Sequence, residues 1–207
     1  MDVHPPHGAI HGWRDFFVHL IIITLGLLIA LGLEGVVEWA HNKHLVHTAE
    51  ANLRAELQVN RKTLAGDLRF LNDFQKQMES DLSILSNYKA TNHASQQLRF
   101  NWRWNSPAGA AWDTARNTGA VALMNYETAE TYSDIYSQQA SVTAESGVFI
   151  RDIYTTAAPL EGGQKLNELK PAQVDAMIAN AQQTIADLQY LRDLSESLAR
   201  LYDKAPK

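Results

Sequence analysis

The sequence contains no cysteine, which excludes disulfides, thiolate metal sites and cysteine nucleophiles in any compartment. It also lacks any run of five or more like charges: the acids and bases behind its net charge of -5 and isoelectric point near 5.9 are scattered along the chain. Nucleic acid, which needs a concentrated basic face, is therefore not an expected partner. No proline occurs between Pro6 and Pro107, so nothing in that stretch forces a helix to stop. No internal repeat stands out, and no segment reads as a sustained alternation of apolar and polar residues. What is present is apolar material: 45% of 207 residues are hydrophobic and 20% charged, enough for one sizeable core.

The most decisive stretch runs from Phe16 to Leu33, eighteen residues without a formal charge, bracketed by Arg14-Asp15 and Glu34. As a helix it measures about 27 Å, close to the hydrocarbon thickness of a bilayer. Trp13 and Trp39 are separated by about 39 Å of helix, which suits indoles placed in the two headgroup layers. A cleavable signal peptide is the rival reading, with Ala30 and Gly32 as the small residues of a processing site. The length of the apolar run, Asp15 beside its only arginine and the helical sequence that follows favour retention as a membrane anchor.

This divides the chain into a short polar segment (1–15), a transmembrane helix (16–33) and a helical domain outside the bilayer (34–207). The expected location is a membrane that this helix crosses once. Arg14 and the amino terminus on one side, against Lys43 on the other, hardly discriminate by the positive-inside rule; the expected orientation has the N-terminus inside. Within the span, Gly26 and Ala30 have the small-xxx-small spacing that lets membrane helices approach closely. His19 reads as a neutral ring reaching toward the nearby headgroups.

Beyond the span the pattern is helical to about Tyr88. Leu57, Leu64, Leu71, Met78 and Leu85 recur every seven residues, the stripe of a bundle or coiled coil. Asn60 and Asp67 fall on the second core row, so packing against other helices of the chain is preferred to a two-stranded coil. Residues 90–106 read as a connection. Ser106-Pro107 reads as a cap and first turn of a short helix to Met124. Asn125 caps a longer helix to about Thr156, and a last amphipathic helix starts near Pro171. The expected fold is all-α: the transmembrane helix continues into a long helix, packed with about three further helices as an antiparallel bundle.

Chemistry is harder to find. Glu38 and His41 form a Glu-x-x-His step, with Glu34, His44 and His47 close by, but a bundle di-metal site needs a second such step on a facing helix and the chain has none. Glu38, His41 and His44 are the residues a metal would use; the expected role is a hydrated polar collar, with no cofactor and no catalytic residue. His4, His7 and His11 read as part of a solvated terminal segment. Trp102 and Trp104, in Arg99-Phe100-Asn101-Trp102-Arg103-Trp104, and Trp112 beyond them, form a candidate partner or ligand surface. The alternative is that these rings cap the open end of the bundle.

Two stretches, Ile21 to Glu34 and Trp112 to Met124 (WDTARNTGAVALM) followed by Tyr132 and Ile135-Tyr136, resemble uncharacterised bacterial single-pass membrane proteins. Those proteins share the layout of one hydrophobic helix, a long helix, a Trp-x-x-Ala-x-x-x-Gly segment and an aromatic-rich helix. The resemblance implies no activity or ligand; the location it implies is a bacterial inner membrane, and with the N-terminus inside, the expected topology is a cytoplasmic N-terminus and a periplasmic bundle. On physical grounds, Trp112, Ala115 and Gly119 are expected to bring a bulky ring beside two small residues as a helix-packing device. The expected function is a membrane-tethered scaffold or accessory subunit working through lipid and protein contacts, as a homo-oligomer or with another membrane protein. The alternatives are an extracytoplasmic sensing or small-ligand-binding bundle and, third, a metal-dependent enzyme.

Overall fold

A computed structural model describes residues 12–93 and 97–206, so the expectation for His4, His7 and His11 lies outside the described residues. The fold is all-α, with no strand among the described residues. The helices are α1 (Trp13–Thr91), α2 (Ala110–Asn117), α3 (Ala120–Leu123), α4 (Tyr126–Ala157) and α5 (Pro171–Asp203). The chain divides into two compact units, Met1–Thr48 and Ala49–Lys207.

The first unit has one helix, and its apolar side chains cover no core. Every residue from Gly12 to Ala40 is exposed, including leucines, isoleucines and valines on all sides. It is the one helix among the described residues long and apolar enough to cross a membrane. Trp13 packs edge-on against Phe16 and close to Phe17, and the Lys43 ammonium sits 5.1 Å from the Trp39 ring centroid. His19 Nδ1 lies 2.7 Å from the Asp15 carbonyl oxygen, so the ring is turned back toward the start of the helix. A methyl group added at Gly26, Gly32 or Gly35 would meet no neighbouring atom within 4 Å.

The second unit is built on strict heptads. The buried positions of α1 from Leu53 to Tyr88 follow alternating steps of four and three, with Ile84 in addition, and Leu57, Leu64, Leu71, Met78 and Leu85 lie on one row. The buried positions of α5 alternate in the same way from Val174 to Tyr202, as do those of α4 from Tyr132 to Thr156, with Tyr136 in addition. Such spacing gives each helix one narrow seam to bury and leaves the rest to water. Gly66 does not interrupt α1, since one glycine costs a helix interior only about 1 kcal/mol.

Cross-helix pairs fix the directions. Glu56 meets Tyr136 and Phe74 meets Phe149, so α4 runs parallel to α1. Lys89 meets Asp175, Gln75 meets Arg192 and Arg61 meets Tyr202, so α5 runs antiparallel to α1. An up-down-up-down bundle would need a descending helix between α1 and α4. Here the descending leg is an extended strap, residues 97–109.

Two local expectations are corrected. The short helix does not start at Ser106-Pro107: it starts at Ala110, with Gly109 before it, because the chain is still extended through Pro107. Nor do Trp112, Ala115 and Gly119 share one helix face, because Gly119 takes a left-handed backbone (φ 78°) that breaks the chain into α2 and α3. Ala115 is buried as expected. Asn125 caps α4 through its side chain, which accepts from the Glu127 amide at 2.9 Å, and α5 begins at Pro171.

Candidate functional site: the strap and its aromatic row

The strap alternates. Leu98, Phe100, Trp102 and Trp104 are half-buried, while Gln97, Arg99, Asn101, Arg103 and Asn105 are exposed. This is the period of an extended chain, in which successive side chains point to opposite faces.

Three polar residues on the second heptad row of α1 hold the strap, in order. The Arg99 amide donates to both carboxylate oxygens of Asp81 at 3.3 Å. The Asn105 side-chain amide donates to Asp67 at 2.9 Å. Asn60 makes a reciprocal pair with Ala108, donating to its carbonyl at 2.7 Å and accepting from its amide at 2.9 Å. The lengths match: Asp81 back to Asn60 is about 31 Å of helix, and Arg99 to Ala108 is about 30 Å of extended chain. Buried polar groups on a core row are costly unless bonded, and in this row the connecting segment supplies the bonds.

Burial raises the pKa of both aspartates above the ordinary carboxylate value. At Asp81, the Arg99 amide, the Gln77 side chain and the Arg99 charge oppose the shift; at Asp67, Asn105 and the Arg103 charge do. Among the described residues, Asp67 Oδ2 and the Trp104 indole N–H are both buried without a hydrogen-bond partner, as are the Tyr132 and Ser195 hydroxyls.

The three tryptophans do not form one surface. Trp102 packs edge-on against Phe149 at 6.3 Å, and Phe149 in turn against Phe74 at 5.7 Å, so this ring belongs to the core between α1 and α4. Trp104 lies two residues along the same inner row. Trp112, on α2, is stacked on Tyr136 at 5.1 Å with the rings 6° from parallel. The Tyr136 hydroxyl donates to Glu56 at 2.7 Å, and the other Glu56 oxygen accepts from the Ala111 amide at 2.9 Å. Burial, with Glu56 beside it, raises the Tyr136 pKa; burial pushes Tyr202, which accepts from Gln139 at 3.0 Å, up to about 12. These tyrosines stay neutral at physiological pH and serve as hydrogen-bonding core residues.

Two recesses adjoin this framework. One of 580 Å³ opens beside Trp112 and Tyr136, with Pro107, Asp113, Arg116 and Thr143 on its walls. Trp102 and Trp104 do not line it. The other, of 640 Å³, lies where the end of α1, the start of the strap and the α4–α5 connection meet, around Tyr88, His93, Leu98 and Lys165.

Glu38, His41 and His44 are exposed on α1, and among the described residues no group of three or more histidines and acids is arranged to hold a metal ion. Sequence reasoning missed the strap and the row Asn60, Asp67, Asp81 as its anchor. The signal was present as Leu98, Phe100, Trp102 and Trp104 at every second residue. The chain matches no family model, no curated protein and no solved structure.

Proposed function

We propose that this chain is a single-pass protein of a bacterial inner membrane, its N-terminus cytoplasmic and its bundle periplasmic, that works through protein contacts as a scaffold or accessory subunit. The observation that carries the reading is the apolar surface from Phe16 to Leu33, exposed on every side. In water, burying that surface would be worth about 25 cal/mol for each Å², so a lipid or protein environment must cover it. Trp13 and Trp39, both exposed at its flanks, supply the rings that headgroup layers favour. Gly26 and Ala30, both exposed and four residues apart, support self-association of the span. The resemblance to uncharacterised bacterial single-pass membrane proteins belongs to the same proposal.

Mass measurement of the protein purified in mild detergent tests it. A complex larger than the single chain is expected, and one that depends on the helix–helix contact should dissociate in Gly26→Leu and Ala30→Leu variants. A strictly monomeric protein without partners contradicts the reading.

A second reading, a bundle that binds a small ligand, is favoured by one feature: the recess beside the stacked Trp112 and Tyr136, whose volume lies in the range of small-molecule sites. Its site is Trp112 rather than the full trio of tryptophans.

A further inference from the structure

The strap is an extended chain with few backbone partners. Among the described residues, no backbone–backbone hydrogen bond involves any position from Gln97 to Ala108. The Arg99 amide and both backbone groups of Ala108 are satisfied by α1 side chains. Between them, the amides and carbonyls of Phe100 to Trp104 have no protein partner among the described residues. Backbone groups of this kind are obligatory hydrogen-bonders, and an extended segment that leaves them open is a template for another strand.

The chemistry of the exposed row selects the strand. Arg99, Asn101 and Arg103 are exposed, and the sequence has no acidic residue between Asp81 and Asp113. Among the described residues, no carboxylate lies within ion-pair distance of the Arg99 or Arg103 guanidinium. Arg103 is held over the Phe70 ring at 5.5 Å. A second copy of the strap, paired antiparallel, would set arginine rows against each other, and like charges facing across a strand pair are destabilising. An acidic strand has the complementary charge.

We infer that the outer edge of the strap docks an extended, acidic segment of a partner protein, which adds as a strand along Phe100–Trp104 and places carboxylates against Arg99 and Arg103. The inference rests on the protein-contact reading above. It assigns that reading a surface and a partner chemistry.

The test uses the full chain in detergent micelles and a ten-residue peptide of alternating glutamate and valine. A lysine–valine peptide and a glutamate–valine peptide methylated at every backbone nitrogen, which has the charge but no backbone N–H to donate, serve as controls. Binding of the glutamate–valine peptide alone is expected, with slowed hydrogen exchange at the amides of Phe100–Trp104. Arg99→Gln with Arg103→Gln should weaken it about tenfold, the scale of two exposed ion pairs. Thermal unfolding of that variant verifies that the bundle is intact, and the salt dependence of wild-type binding gives the same charge information without mutation. No binding, equal binding of either control, or binding without protection of these amides overturns the inference. A protein that self-associates in detergent yet ignores the peptide refutes strap docking alone. One that binds the peptide but stays monomeric refutes self-association alone.

Discussion

Leucine and isoleucine are used in two ways along α1. From Phe16 to Leu33 they lie on every side of the helix and none is buried; from Leu53 to Tyr88 they follow a heptad row and are covered. An apolar surface that goes all the way round matches a uniform apolar solvent, whereas one narrow seam matches neighbouring helices. The polar residues differ in parallel. In the first unit the charged residues sit at the flanks of the run; in the second, Asn60, Asp67 and Asp81 occupy core positions, where the strap meets them with hydrogen-bonding groups.

The contrast can be broken most strongly in the core. Phe149 is fully buried between Phe74 and Trp102, so Phe149→Ala should cost the bundle about 3–5 kcal/mol, read by chemical denaturation of the full chain in detergent. A loss below about 1 kcal/mol would mean that the strap and α4 are not packed as described. Next comes Leu28, which is 60% exposed. Leu28→Arg should raise the cost of membrane insertion by about 2.5–3.5 kcal/mol in a translocation assay while leaving the bundle's unfolding unchanged. Undiminished insertion would contradict the assignment of this face to lipid.

Smaller, Asn60→Leu removes both bonds to Ala108 and should destabilise by about 1–3 kcal/mol, with faster hydrogen exchange confined first to the strap. Uniform acceleration across all helices would argue that the strap is not a separate leg.

The smallest effect is in pH. Asp67, Asp81, Glu145 and Asp152 all have raised pKa values, each chiefly from burial, with the neighbouring Asp187 adding to the shift at Glu145 and Asp152. A carboxyl with a folded pKa above its unfolded one favours folding most when protonated, and that contribution is lost as pH rises through the folded value. The bundle's melting temperature should therefore rise as pH falls from neutral toward the ordinary carboxylate range. Asp152→Asn should flatten part of that slope; a melting temperature that falls steadily over this interval would contradict the burial of these groups.

Much of the architecture was legible. The heptad leucines, the Asn125 cap and the Pro171 start are local signals, and each lies where periodicity or capping places it. The strap was not legible as structure because its alternation is short and lies in a stretch of asparagines that reads as a connection. Asn60 and Asp67 were visible as polar intrusions on a core row, but their partners, Ala108 and Asn105, are remote in sequence. Ser106-Pro107 misled for a related reason: proline suits the first turn of a helix and an extended segment equally, and the anchor at Asn60 keeps the chain extended to Ala108. The ring partners of the tryptophans, Phe149 for Trp102 and Tyr136 for Trp112, are likewise remote in sequence.

The central claim is that the first helix stays attached and lies in lipid. Intact mass of the protein recovered from alkali-washed membranes tests it most directly. The full 207-residue chain in the membrane pellet is the predicted result. A soluble product lacking its first thirty residues or so would contradict it.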